Sequence, residues 1–313
     1  MTTAPVHAIG IIGAGAVGQT VATALCTTGL TERLLIASRT KEQAQALVAD
    51  IDDLREATGS RLVPHTATVT DMHACQAIVI AVRAAFTNTA RTDVRLAGAS
   101  ANAPVIMRLA HQLRGYTDTV VLVTNPIDLM TRLFAETSGC PRAYGIGSNL
   151  DSARYRSILA RRLSVPPAAV SGHVIGEHGD GAVICAHATT VHGRSVPLPL
   201  QQTREELHAR APQISAEIGR TRSGPAGAAL SALRKALALD DGLEELSAPY
   251  DGVHLGLPLH FEAGQPTVQL PTLNATERRQ LTAAHDKLRT AYQDLTTHLG
   301  ISVPGSTAPG RTP

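Results

Sequence analysis

Three short segments hold residue types that are suited to proton transfer and anion binding. They are TNP at 124–126, NLDSAR at 149–154 and IGEHGD at 175–180. His178 suits a general acid or base, because imidazole titrates near neutral pH. A carboxylate such as Asp151 can fix the tautomer of an imidazole and stabilise its charged form. The two residues therefore predict a proton donor and acceptor.

The arginine of the second segment predicts an anion clamp. Asp151 and Arg154 are three residues apart, so on a helix they project from one face. A guanidinium can hold a carboxylate through two parallel hydrogen bonds. By residue type alone, these two side chains could also form a simple helix ion pair. His178 could equally be a structural histidine in a glycine-rich turn.

The elements that must position these residues show in the order of apolar runs. Strand-like runs occur at 8–12, 34–38, 77–82 and 119–126, with helical stretches between them. Strands that alternate with helices predict a parallel sheet covered by helices on both faces. We expect this domain to occupy residues 1–147.

After about residue 148 the strand-like segments are shorter and more polar, which predicts a mixed α+β domain over residues 148–303. Its last helix is marked by a capping box of Asn274 and Glu277. An apolar stripe follows, made of Leu281, Ala284, Leu288, Tyr292, Leu295 and Leu299. Residues 304–313 are expected to be a disordered tail.

A glycine turn follows the first strand-like run. Gly13, Gly15 and Gly18 form GxGxxG and lead into a helix that starts with Ala16 and Val17. Such glycines allow a tight turn, a close approach of a pyrophosphate, and tight packing of helix on strand. The anion then lies at the helix N-terminus. We expect all five residues to contact a dinucleotide.

The end of the second strand indicates which dinucleotide. An NAD site places an acid there to bind the ribose hydroxyls, and this chain has Ser38, Arg39 and Thr40 instead. Ser38 can hydrogen-bond to a 2′-phosphate and Arg39 can pair with it. The sequence therefore favours NADP(H), with NAD(H) possible, although Arg39 could also be a solvated residue at a strand end.

Composition narrows the function classes. The 313 residues carry a net charge of +2 without a block of Lys or Arg, which disfavours nucleic-acid binding. Four widely spaced cysteines indicate neither a disulfide framework nor a metal site. We see no signal peptide and no apolar run long enough to span a bilayer, so we expect a cytoplasmic protein without membrane association.

The three segments, in this order, closely resemble the lactate/malate dehydrogenase family. The resemblance covers most of the chain, including GVHLGLP at 252–258. It implies a Rossmann-type doubly wound parallel sheet (α/β) followed by a mixed α+β catalytic domain. It also implies that His178, Asp151 and Arg154 are catalytic, and that Asn125 hydrogen-bonds near the carbonyl and the nicotinamide. A homodimer or homotetramer is implied as well.

The family has a mobile loop that closes over the substrate and delivers an arginine to the carbonyl. Counting back from Asn102, Arg95 falls on that arginine, in a loop about three residues longer than usual. The substrate-selecting position falls on Thr89, with Arg91 nearby. Arg83 replaces a family glycine beside the expected nicotinamide and pyrophosphate, where it would contact either phosphate or substrate.

Another departure lies in SGPAGAALSAL at 223–233. Ahead of a helix, the family places a Ser or Thr against the substrate, and here Pro225 and Gly227 fall near that position. A small, featureless wall would leave room for a larger or different side chain on the substrate.

We therefore predict an NADP(H)-preferring oxidoreductase that interconverts a 2-keto acid and an L-2-hydroxy acid, with a substrate other than ordinary lactate or malate. The nearest alternative is an NAD-dependent malate or lactate dehydrogenase. Alternatives of another class are a non-catalytic NADP(H)-binding protein and a glycosidase resembling family 4. The last would need a Cys and a His at a metal, and TNP rather than CNP at 124–126 argues against it.

Overall fold

The computed structural model describes residues 6–87 and 96–301. Within those residues, the first half contains six strands and four α-helices. The strands are β1 (Val6–Ile12), β2 (Thr31–Ala37), β3 (Val63–Thr66), β4 (Ala77–Ile80), β5 (Thr119–Leu122) and β6 (Ala143–Gly145). The helices are α1 (Ala16–Thr28), α2 (Lys41–Thr58), α3 (Ala99–Gln112) and α4 (Ile127–Ser138).

These six strands form a parallel sheet in the order β3-β2-β1-β4-β5-β6. All residues of β4 and β5 are buried, as expected for strands covered by helices on both faces. The strand order reverses between β1 and β4, and ligands of such sheets bind outside the carboxyl ends of the strands at that point. The Rossmann-type fold predicted from the sequence is confirmed.

The second half supplies the remaining elements. The helices are α5 (Ser148–Leu163), α6 (Leu200–Ile218), α7 (Ser223–Ala236) and α8 (Ala275–His298). The strands are β7 (Val170–Ser171), β8 (Val174–Gly176), β9 (Ala182–Ile184), β10 (Thr190–Val191), β11 (Gly242–Tyr250), β12 (Val253–Glu262) and β13 (Gln265–Val268).

One sheet runs through both halves. Strand β11 pairs antiparallel with β6 through Ser247 and Gly145, and β12, β8 and β9 continue the sheet in that order, while β13 pairs with β12. Strands β7 and β10 form a separate small ribbon. The turn between β8 and β9 is thereby fixed to the same framework as the parallel strands.

The expectation of short strands after residue 148 is wrong for β11 and β12, which have nine and ten residues. Strand β11 contains two adjacent acids, Glu244 and Glu245, and both are buried. Neighbouring strand residues point to opposite faces, so each acid meets its own partners. Glu244 accepts hydrogen bonds from Asn149 and Ser231, and burial raises the pKa of its carboxyl.

The last helix forms as predicted. Asn274 and Glu277 make the capping box, and the stripe from Leu281 to Leu295 is buried. Helix α8 thereby packs against β9 and β12, beside the turn between β8 and β9. Within residues 6–87 and 96–301, no helix is long and apolar enough to cross a membrane.

Candidate active site

His178 and Asp151 lie in direct contact. His178 is in the turn between β8 and β9, and Asp151 is in the first turn of α5. Imidazole Nδ1 is 2.6 Å from Asp151 Oδ2, and each side chain is 8% exposed. With Nδ1 engaged by the carboxylate, proton exchange with a substrate falls to Nε2. This is the geometry of a histidine whose tautomer is fixed by an acid.

Arg154 completes the cluster. Its Nη1 lies 3.4 Å from Asp151 Oδ1, the oxygen that does not contact His178, and its side chain is 8% exposed. The one carboxylate therefore joins the histidine to the arginine. The structure brings the three predicted residues together, and the helix ion pair that residue type alone allowed is also present. A guanidinium held in this way presents a fixed positive charge beside the imidazole.

Gly147 supplies the wall against which the imidazole lies. Its backbone has φ +149°, and a Cβ there would be 2.5 Å from His178 Cγ. Any side chain would therefore displace the ring. The Gly147 N–H donates to Asn149 Oδ1 at 3.0 Å, and Asn149 Nδ2 donates to Glu244 at 2.6 Å. Gly147 was not predicted as a site residue, although it directly precedes α5, the helix that carries NLDSAR.

Asp128 is a second residue that the sequence analysis missed. It lies in the first turn of α4, three residues after Asn125, and is 3% exposed. Its Oδ2 accepts a hydrogen bond from the backbone N–H of His178 at 2.9 Å. An acid two residues after TNP was the available signal. Asp128 fixes the main chain of the histidine, whereas Asp151 fixes its ring.

Asn125 lies at the carboxyl end of β5, and the peptide bond to Pro126 is cis. The residue is exposed, while its carbonyl accepts a hydrogen bond from Asn102 Nδ2 at 2.8 Å. Asn102 Oδ1 also accepts from the Ala84 N–H at 2.8 Å. Asn102 thus ties the segment after β4 to the segment after β5, at the edge where Asn125 is expected to meet substrate and cofactor.

The segment after β4 carries Arg83, which is exposed and lies with its guanidinium carbon 4.9 Å from the centre of the Phe86 ring. Because Ala84 is bound through Asn102 to Asn125, Arg83 lies at the same sheet edge as Asn125. The predictions for Thr89, Arg91 and Arg95 lie outside the described residues.

The glycine turn has the shape that a dinucleotide needs. Gly13 has φ +115°, and a Cβ at Gly18 would be 1.8 Å from the Gly13 carbonyl oxygen. Gly15 has open space beside it, and no side chain caps α1, which begins at Ala16 and continues with Val17. The first amides of α1 are therefore left for an anion. The turn fits a pyrophosphate.

The end of β2 bears no acid. The Ser38 hydroxyl accepts from the Ala14 N–H at 3.4 Å and donates to Gln43 at 3.1 Å, so it lies beside the glycine turn. Arg39 and Thr40 are exposed, and the Thr40 hydroxyl caps α2. The first acid beyond β2 is Glu42, inside α2.

The candidates on α7 lie elsewhere than expected. Pro225 and Gly227 are inside the helix rather than ahead of it, because α7 begins at Ser223. Proline is tolerated in a first helical turn, so Pro225 does not prevent α7 from beginning at Ser223. Gly227 is exposed with open space beside it, and Gly224 is the glycine that faces Leu150 of α5. The residue ahead of the helix is Arg222, which is exposed.

Comparison with known families gives a match along most of the chain. The model for the NAD binding domain of lactate/malate dehydrogenase matches residues 7–147, and that for the alpha/beta C-terminal domain matches residues 148–298. The chain belongs to the lactate/malate dehydrogenase family. This dehydrogenase therefore acts on the CH–OH group of a 2-hydroxy acid, with a nicotinamide cofactor and a small keto or hydroxy acid as substrate pair.

Individual relatives agree with this assignment. The L-lactate dehydrogenase of Deinococcus radiodurans is 30% identical, over 92% of this chain and 99% of its own. The L-lactate dehydrogenase of Limosilactobacillus reuteri is 28% identical, over 93% of this chain and 95% of its own. Among solved structures, the lactate dehydrogenase of Cryptosporidium parvum, complexed with lactic acid and nicotinamide adenine dinucleotide, has a TM-score of 0.82 at 22% identity. The structural alignment covers 94% of this chain and 99% of the Cryptosporidium parvum chain.

Proposed function

We propose that this dehydrogenase interconverts a 2-keto acid and an L-2-hydroxy acid, with NADP(H) as the preferred cofactor and His178 as proton donor and acceptor. The observation that carries the proposal is the buried contact of 2.6 Å between His178 Nδ1 and Asp151 Oδ2, with Arg154 on the other carboxylate oxygen. A proton-transfer group and an anion-binding group are thus adjacent.

Each residue then has a defined task. Arg154 binds the substrate carboxylate through its guanidinium, which directs the 2-carbonyl towards the imidazole. In the reducing direction His178 gives the proton on Nε2 to the carbonyl oxygen, and Asp151 stabilises the imidazolium before that transfer. The bound nicotinamide cofactor supplies the hydride. Asn125 and Arg95 are assigned to the carbonyl by resemblance.

The cofactor preference is proposed from the end of β2. Ser38, beside the glycine turn, and the exposed Arg39 suit a 2′-phosphate, and Thr40 lies next to them on the cap of α2. A carboxylate in this place would repel the phosphate, and none is present between β2 and α2. The Gly13–Gly18 turn would hold the pyrophosphate of either cofactor.

The substrate is proposed to differ from lactate and malate. Thr89 lacks the positive charge that a second carboxylate needs, while Arg83 and Arg91 place positive charge in unusual positions. Pro225 and Gly227 remain candidates for the wall near the substrate side chain, with Gly224 and Leu150 marking where α7 meets α5. A homodimer or homotetramer in the cytoplasm is proposed for the assembled enzyme.

The test is a panel of 2-keto acids with varied side chains, each assayed for oxidation of NADPH and of NADH. We expect a higher kcat/KM with NADPH and with a keto acid other than pyruvate or oxaloacetate. The absence of turnover with every keto acid would contradict the proposal and favour a non-catalytic protein.

A second candidate is an NAD-dependent lactate or malate dehydrogenase. It is favoured by the names of the relatives, both L-lactate dehydrogenases, and by the NAD binding domain of the family model. The same panel separates the two, since a preference for NADH with pyruvate or oxaloacetate would establish this candidate.

A further inference from the structure

We propose that Lys287 is a positioning residue for proton transfer: from α8 its ammonium holds the Glu177 carboxylate, and thereby the turn that carries His178. The inference rests on the proposed function, because it concerns the geometry of the same histidine.

Glu177 directly precedes His178, and only 3% of its side chain is exposed. Its Oε2 accepts hydrogen bonds from Lys287 Nζ at 2.7 Å and from the Gly181 N–H at 2.9 Å. The carboxylate therefore lies inside the turn 177–181 and joins its two ends. A side chain at position 181 would displace the carboxylate, since its Cβ would be 2.5 Å from Oε2.

The outer side of this turn is open. It borders a cavity of about 390 Å³ between α6 and α8, which is lined by the charged residues Asp180, Arg204 and Lys287 and by His208. On the other side, Asp128 holds the His178 amide. Because the turn meets α8 at the small side chain of Ala284 and otherwise borders this cavity, the ion pair with Lys287 adds a restraint that packing supplies only in part.

The restraint depends on the positive charge of Lys287, because that charge balances the buried Glu177 carboxylate. A buried carboxylate that loses its cation is strongly destabilised, so it moves towards water and takes the adjoining backbone with it. The adjoining residue is His178, and a misplacement of about 1 Å at a reacting group can cost on the order of 100-fold in rate. Lys287 thereby acts on the reaction through Glu177, without touching the substrate.

The kinetic test compares Lys287→Met with Lys287→Arg and with the double variant Glu177→Gln/Lys287→Met. We expect Lys287→Met to lower kcat roughly 10- to 100-fold while the Kd for NADPH, measured by fluorescence, stays unchanged. Arginine should restore most of kcat, because it still donates to the carboxylate. The double variant should recover part of it, because glutamine still accepts from Gly181 and position 177 no longer carries a buried charge.

The matched control is Arg289→Met, which removes an exposed cation on the same helix, paired with Asp286. It should leave kcat unchanged. Equal losses in Lys287→Met, Lys287→Arg and the double variant would indicate a merely structural effect and overturn the inference, as would an unchanged kcat in Lys287→Met.

Hydrogen exchange of the peptide that spans residues 177–181 separates this inference from the proposed function. Exchange should be faster in Lys287→Met and unchanged in Arg289→Met. Unchanged exchange in Lys287→Met would overturn the inference whatever the substrate, whereas a wild-type enzyme without turnover would contradict the proposed function alone.

Discussion

Asp128 Oδ2 accepts the backbone N–H of His178 at 2.9 Å, so α4 holds the main chain of the residue whose ring α5 holds. Replacing Asp128 with Ala would leave a buried amide without its acceptor, at a cost of about 1–3 kcal/mol. We expect Asp128→Ala to lower both the free energy of unfolding and kcat. Asp128→Asn keeps a carbonyl oxygen and should retain more of each. Urea unfolding and steady-state kinetics check this, and equal losses in the two variants would contradict the acceptor role.

Asp151→Asn is expected to lower kcat by about 10²–10⁴-fold, because an amide cannot stabilise the imidazolium and can bind the wrong tautomer. His178→Asn should cause a similar loss. Neither change touches the glycine turn, so the Kd for NADPH, measured by fluorescence titration, should stay near the wild-type value. Near-normal turnover in His178→Asn would refute its assignment as proton donor.

Arg154→Lys should mainly weaken substrate binding. An ammonium cannot reproduce the two parallel hydrogen bonds of a guanidinium, so we expect KM for the keto acid to rise by more than kcat falls. Initial rates over a range of keto acid concentrations provide the measurement. Arg156→Lys, on the same helix but paired with Glu245, is the matched control. An unaltered KM in Arg154→Lys would rule out the clamp.

Ser38→Asp should move the cofactor preference towards NADH, because a carboxylate repels a 2′-phosphate and binds ribose hydroxyls. The ratio of kcat/KM with NADPH to that with NADH should fall by about tenfold or more, equivalent to about 1.4 kcal/mol. Gln45→Asp adds the same charge on the exposed face of α2 and serves as the control. A ratio that is unchanged, or that changes equally in both variants, argues against a phosphate site at Ser38.

His254 predicts an acid-sensitive fold. Burial lowers the pKa of this imidazole to about 4, and the nearby Arg132 contributes in the same direction. A depressed pKa means that the unfolded chain binds the proton more readily, so stability is present above the ordinary value near 6.5 and is lost as the pH falls towards 4. Between pH 7 and pH 5 the loss amounts to about 2 kcal/mol.

The variant His254→Leu lacks this titration. We therefore expect its free energy of unfolding in urea to fall by about 2 kcal/mol less than that of the wild-type protein over the same interval. Parallel curves for the two proteins would show that His254 does not control the acid sensitivity.

The parallel half of the fold was accessible from the sequence because its central strands are uninterrupted apolar runs. Strand β3 was missed because its four residues, VPHT, include a proline and two polar residues, and β6 was missed because it has only three residues. Strand β11 was missed because two adjacent acids made it look solvated. Hydrogen-bond partners such as Asn149 and Ser231 become visible only when distant segments meet.

In the candidate site, too, residues within local motifs were predicted, whereas residues that depend on contacts between distant segments were not. The motifs predicted that Asp151 lies beside both His178 and Arg154, and both contacts are present. Asp128 and Lys287 are separated along the chain from their partners by 50 and 110 residues, so no local pattern indicates them. The cofactor preference and substrate stay predictions, since they depend on contacts with molecules rather than on the fold.

The continuity of the sheet through Ser247 and Gly145 has a consequence for how the chain can be divided. Strand β6 has a partner on each side only while β11 is in place. A chain cut after residue 147 would end with an unprotected strand edge, which can pair with a second copy and lead to aggregation. The two units that the family models separate, residues 7–147 and 148–298, thus share one hydrogen-bonded sheet. Replacing either unit with that of another protein would require a new pairing between β6 and β11.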